Sequence, residues 1–172
     1  MAPAITQRGA PMPYPRDEIE ATVERYVETR KVIDGGGATW SALAQYFTDD
    51  AVFIDPAWGR VEGIDEMKAT VFGDAMVGLE EWTFPVEFYA IEGDNVIIKW
   101  KQLLPGKRAD GRNYEQSGVS TLIYAGNGKF RYEEDLLNMV HVLEDMRESK
   151  CKVPDVAMPP KHPNRDFSRP NG

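Results

Sequence analysis

The chain is poor in the residues that hold metals or staple a fold. It has one cysteine, Cys151, and two histidines, His141 and His162. A single cysteine excludes an internal disulfide, which fits a reducing cytoplasm, the expected location. So few His and Cys side chains argue against a metal site of that type, and no metal is expected. Cys151 reads as inert and His141 as a packed or exposed residue of the last helix. Positive charge is also scarce: 20 Lys and Arg face 28 Asp and Glu, for a net charge of −8. Nucleic-acid affinity comes from neutralising phosphates, so that partner is not expected. No apolar run approaches the ~20 residues a membrane helix needs, so no membrane partner is expected either. The start, MAPAITQRGAPMPYP, lacks the basic and apolar blocks of a signal peptide. Gly35, Gly36 and Gly37 precede no Lys-Ser/Thr pair, which excludes a phosphate-binding P-loop.

What remains is a chain of 172 residues, 42% hydrophobic, enough for one domain with a real core. Residues 1–14 read as a flexible arm, 15–151 as the domain and 152–172 as a Pro-rich tail. Pro15, followed by Asp17, Glu18 and Glu20, opens a long first helix. Its apolar face carries Ile19, Val23, Tyr26, Val27 and Arg30, and the three glycines end it. Thr39 starts a second helix with Trp40, Leu43, Ala44 and Phe47 inward. Thr48, Asp49 and Asp50 break the helical period. Ala51–Asp55 alternates as a strand, with Val52 and Ile54 on one face and Phe53 and Asp55 on the other. Pro56 ends it. A third helix is expected over 64–72. Strands are expected over 82–91, 96–104, 114–124 and 129–137, with a basic exposed loop over 105–113 and a last helix over 138–149.

The run Phe47, Asp50, Ala51, Asp55, Pro56, followed by Gly59 and Gly63, resembles the nuclear-transport-factor-2-like superfamily. That superfamily includes ketosteroid isomerases, SnoaL-like polyketide cyclases and limonene-epoxide hydrolases. The resemblance implies an α+β fold: a cone-shaped barrel of strongly curved, mostly antiparallel sheet. It would wrap around three helices of the N-terminal half, with a C-terminal helix and an extended tail. It also implies a pocket in the cone.

On that resemblance, Asp55 falls where ketosteroid isomerases keep their catalytic base and Tyr26 where they keep an oxyanion-binding tyrosine. Ser120 stands where they have a protonated aspartic acid, a departure from their pattern. Asp135 matches a catalytic aspartate of limonene-epoxide hydrolases, but their Arg-x-Asp pair is replaced by Trp100-x-Gln102. Ile98, Trp100 and Gln102 would form an apolar wall with one amide, joined by Phe53, Trp40 and Trp58 in a substrate-binding set. Enolisation needs a base at carbon and a donor at oxygen, and Asp55 with Tyr26 supplies that pair. The expected activity is cofactor-independent acid–base chemistry on a small, largely apolar carbonyl compound, by isomerisation, cyclisation or elimination. The alternative is a non-catalytic ligand-binding or dimerisation module. Asp55 capping the turn at Pro56-Ala57 is the plain structural reading of that residue. A homodimer is expected through the outer sheet face, which carries Tyr89, Ile97, Leu103 and Tyr114. The tail is expected to dock in extended form through Val153, Val156, Met158 and Phe167.

Overall fold

The computed structural model describes residues 14–150 and 159–170. Most of the arm, Cys151, Val153, Val156 and Met158 lie outside the described residues.

Helix α1 (Arg16–Asp34) has Asp17 and Glu18 in its first turn and Lys31 in its last, as the helix dipole favours. Gly35 ends it. Asp34 then accepts hydrogen bonds from the Phe84 amide at 2.9 and 3.0 Å, tying the helix end to the sheet. The second helix is a 3₁₀ segment, Trp40–Tyr46, rather than an α-helix. Helix α2 (Ile64–Ala69) is shorter than expected and is followed by a 3₁₀ turn, Asp74–Met76. Helix α3 (Met139–Ser149) is capped by the Asn138 side chain, which accepts from the amides of Val140 and His141.

The described residues form six strands: β1 (Phe47–Asp55), β2 (Gly59–Glu62), β3 (Val86–Glu92), β4 (Asn95–Lys107), β5 (Asn113–Gly126) and β6 (Lys129–Leu137). They form one sheet in the order β2-β1-β6-β5-β4-β3. Among these described strands only β1 and β6 pair in parallel. With the helices on its inner side this is the curved α+β cone expected, its sheet open at both edges.

Five details differ from the sequence reading. Thr48, Asp49 and Asp50 do not end an element. They belong to β1 and bulge out of its pairing with β6, whose register jumps between Phe47 and Val52. β2 is additional. The strand expected over 82–91 begins at Val86, and a bulge between Val86 and Phe88 turns Phe88 outward, 57% exposed, away from buried Trp82 and Phe84. The basic loop over 105–113 shortens to 108–112, since β4 runs on to Lys107 and β5 starts at Asn113. Tyr114 is buried beneath the Arg108 guanidinium rather than lying on the outer face.

The alternation of β1 separates two clusters. Ala51 and Phe53 join the main core with α1 and the 3₁₀ helix. Val52 and Ile54 join Ile123 and Tyr132 in a second cluster on the other face. The C-terminal tail crosses that face as an extended strap. The Arg60 amide donates to the Asn164 carbonyl at 2.9 Å, and the Arg60 guanidinium donates to the carbonyls of Asp166 and Ser168. Arg169 reaches Asn95 on β4 and lies over the Tyr132 ring. Gly59 permits the crossing, because a Cβ there would stand 2.3 Å from the Asn164 oxygen. At the other terminus Tyr14 stacks edge-on against Tyr124.

Candidate active site

Between the sheet and the helices lies a cavity of about 470 Å³. Its body is apolar: Phe53, Trp58, Phe72, Met76, Leu79, Trp82 and Phe84 contribute, with Met139, Val142, Leu143 and Met146 from α3. Pro159 of the strap also touches it. One wall is different in kind. Tyr26, Arg30, Asp55, Gln102, Glu133 and Asp135 meet there.

Glu133 and Asp135 stand two residues apart on β6 and so share a face. The Tyr26 hydroxyl donates to the Glu133 carboxyl, at 3.0 and 3.2 Å from its two oxygens. Trp100 Nε1 donates to Ser120 Oγ at 2.9 Å, and Ser120 Oγ in turn donates to Asp135 Oδ1. The indole N–H can only donate, which leaves the Ser120 proton free for the ionised Asp135 carboxylate. Trp100 reaches Ser120 because its ring lies flat on Gly118, where a Cβ would stand 2.4 Å away.

Burial costs a carboxylate its hydration and favours the protonated form. That effect, reinforced by the Asp135 charge, pushes Glu133 up to about 8. Burial likewise pushes Asp135 up to about 6, against the Ser120 hydrogen bond and the Arg30 charge. Tyr26 is raised well above the usual phenol value, first by burial and then by Glu133. Its proton is therefore committed to Glu133. Asp55 sits at the end of β1, where its Oδ1 accepts from the amides of Ala57 and Trp58, each at 2.7 Å. This is the turn cap of the plain reading, and it coexists with a place in the cavity wall. Burial raises Asp55, while the two amides pull it down.

The model for the SnoaL-like domain matches residues 17–132. The chain belongs to the SnoaL-like family. No curated protein matches it. Among solved structures it is similar to a protein from Jannaschia sp. CCS1 assigned as a SnoaL-like polyketide cyclase. That match has a TM-score of 0.59 at 19% identity, covering 90% of this chain and 99% of that one. An NTF2-like protein from Anabaena variabilis matches at a TM-score of 0.56 and 13% identity, covering 75% of this chain and 96% of that one. A protein from Kribbella flavida assigned as a ketosteroid isomerase matches at 0.50 and 14%, covering 71% and 78%. At these identities the likeness establishes the fold.

In this SnoaL-like domain Tyr26, Trp40, Phe53, Asp55, Trp58, Trp100, Gln102 and Asp135 all line the cavity. Ile98 and Ser120 do not. Both are fully buried, and Ser120 stands behind the wall as the support of Asp135. His141 is exposed on α3. Gln102 donates to Gln116 at 2.8 Å, and Gln116 donates to Asp145 of α3 at 2.6 Å, so the wall amide is anchored to the last helix. Among the described residues no helix is long and apolar enough to cross a membrane.

Two wall residues escaped the sequence reading, Glu133 and Arg30. Arg30 did carry a signal: a cation on the apolar face of a helix needs a reason to be there. Glu133 carried little, lying in the acidic run Glu133-Glu134-Asp135 that reads as a solvated face.

Proposed function

We propose that this SnoaL-like domain is a cofactor-independent enzyme that moves protons on a small, largely apolar carbonyl compound, by isomerisation, cyclisation or elimination. The observation that carries the reading is the convergence of Asp55, Glu133 and Asp135 on one apolar cavity. Carboxyls whose surroundings push them to different proton affinities divide into acid and base. Asp55, steadied by two amides, is the base that takes the proton from carbon. Glu133 holds its proton to about pH 8 and is the acid at the carbonyl oxygen. Tyr26 positions Glu133, and Asp135, oriented by Ser120, exchanges protons with either.

A second reading has one observation in its favour. The two amide hydrogen bonds of Asp55 are those of a turn cap, which suits a binding protein that does no chemistry. Hydrogen–deuterium exchange separates the two. The α-protons of 2-tetralone in D₂O, followed by proton NMR, report enolisation without the natural substrate. The enzyme accelerates the exchange, and Asp55→Asn reduces the acceleration by ~10²–10⁴-fold, the usual general-base contribution. Exchange no faster than in buffer, with 2-tetralone shown to bind, rejects the enzyme in favour of the binding protein.

A further inference from the structure

Arg30 is 4% exposed and is part of the cavity wall. A guanidinium offers five N–H donors. Among the described residues, Nη2 donates to the Phe84 carbonyl at a long 3.3 Å, and Nε has no acceptor. The group lies over the rings of Trp40 and Trp100, 5.7 and 5.5 Å from their centroids. Ring contact of this kind holds a guanidinium in place and leaves its in-plane N–H edges for hydrogen bonds. Glu133 and Asp135 on the same wall feel its charge, yet neither is in hydrogen-bond contact with it. The chain thus holds a buried, oriented and under-used cation in an apolar chamber, which is costly unless something pairs with it.

We propose that Arg30 is the docking point for a delocalised oxygen anion, a carboxylate or an ionised enol or phenol carried on a flat apolar body. The planar fork of arginine matches two oxygens spread over one π-system, and the pairing strengthens as water is excluded. The apolar walls formed by Phe53, Trp58, Phe72 and Met76 receive the body. A cavity of about 470 Å³ falls within the roughly 300–1,000 Å³ typical of small-molecule sites. The acidic groups beside it do not forbid an anion. Burial holds the proton on Glu133 up to about 8, so at pH 7 that carboxyl does not balance the guanidinium. Asp135, raised only to about 6, is the charged neighbour, and it is held by Ser120 rather than by Arg30. The inference rests on the cavity of the proposed function being a ligand site, and on no turnover.

Two probes of one shape test it: 2-naphthoate, which carries the anion, and 2-naphthamide, which does not. Calorimetric titration of the full chain at pH 7 is expected to show naphthoate binding at least tenfold more tightly. Arg30→Met, which keeps an apolar stem, is expected to remove that preference and to leave naphthamide binding intact. Three results overturn the proposal: equal affinity of the two probes for the unaltered protein, no binding of either at millimolar concentration, or a naphthoate preference that persists in Arg30→Met. The first two need no variant, so misfolding of Arg30→Met does not rescue the idea. A naphthoate preference alongside unaccelerated tetralone exchange leaves the anion site standing and removes the proton-transfer reading alone.

Discussion

Replacing Glu133 by Gln keeps the shape and the Tyr26 contact but removes a titrating group from the core. In the folded protein the Glu133 carboxyl is moved from 4.5 to about 8. Below pH 4.5 it is protonated both folded and unfolded, and it costs nothing. Between 4.5 and 8 the folded state binds the extra proton, so stability falls as pH rises. Above 8 the carboxylate is buried charged and the full cost persists. At about 1.36 kcal/mol per tenfold change, the loss reaches about 3 kcal/mol at pH 7 and about 5 kcal/mol at pH 9. Glutamine has no such dependence. Glu133→Gln is therefore within about 1 kcal/mol of the unaltered protein at pH 5 and several kcal/mol more stable at pH 9. Asp135 loses stability in the same direction between 3.8 and about 6, chiefly through its burial, which both proteins share. Urea unfolding followed by tryptophan fluorescence at pH 5, 7 and 9 measures the difference. Parallel stability curves across that range would refute a buried, proton-holding Glu133.

Gly118→Ala is expected to destabilise by ~1–3 kcal/mol and to weaken probe binding, because a Cβ there meets the Trp100 ring at 2.4 Å; thermal unfolding and calorimetry read both. Ending the chain after Val153 removes the strap over Val52, Ile54, Ile123 and Tyr132 and should lower the melting temperature; an unchanged value shows that the strap adds nothing. The outer sheet face leaves Ile97 43% and Phe88 57% exposed, and sedimentation is expected to give a homodimer of twice 19.4 kDa. A clean monomer at micromolar concentration refutes that pairing.

The order of elements was legible because period-3.6 and period-2 patterns survive wherever one face is buried. Helix α1 and the faces of β1 follow directly from Ile19, Val23 and Tyr26 and from Val52 and Ile54. What escaped was set by bulges. The register between β5 and β6 shifts around Ile123 and Tyr124. Phe130 and Glu133 thereby turn inward and Tyr132 outward, so simple alternation along β6 mislays the buried acid. The bulge at Val86 misplaces Phe88 in the same way. In the site, the resemblance pointed to Asp55, Tyr26 and Asp135, which share the cavity. It gave no notice of Glu133 or Arg30, whose significance comes from partners on other elements. Tyr26 and Glu133 are 107 positions apart, and nothing local in the chain links them.

The parallel seam between β1 and β6, together with the strap, also bears on how the molecule is made. Arg60 of β2 takes acceptors from Asp166, 106 positions later. A ribosome adding ~5–20 residues per second needs roughly 5–20 s to cover that distance. For all of that time β1 and β2 lack the strap across them, and for the first part of it they also lack β6, standing as a hairpin too small to be stable alone. Contacts this distant in sequence also slow folding once the chain is free. The open edge of β1 is thus a nascent-chain liability, exposed to pairing with a neighbouring copy on the same polysome. The bulged, exposed acids Asp49 and Asp50 on that same strand provide the like-charge repulsion that keeps two such edges apart.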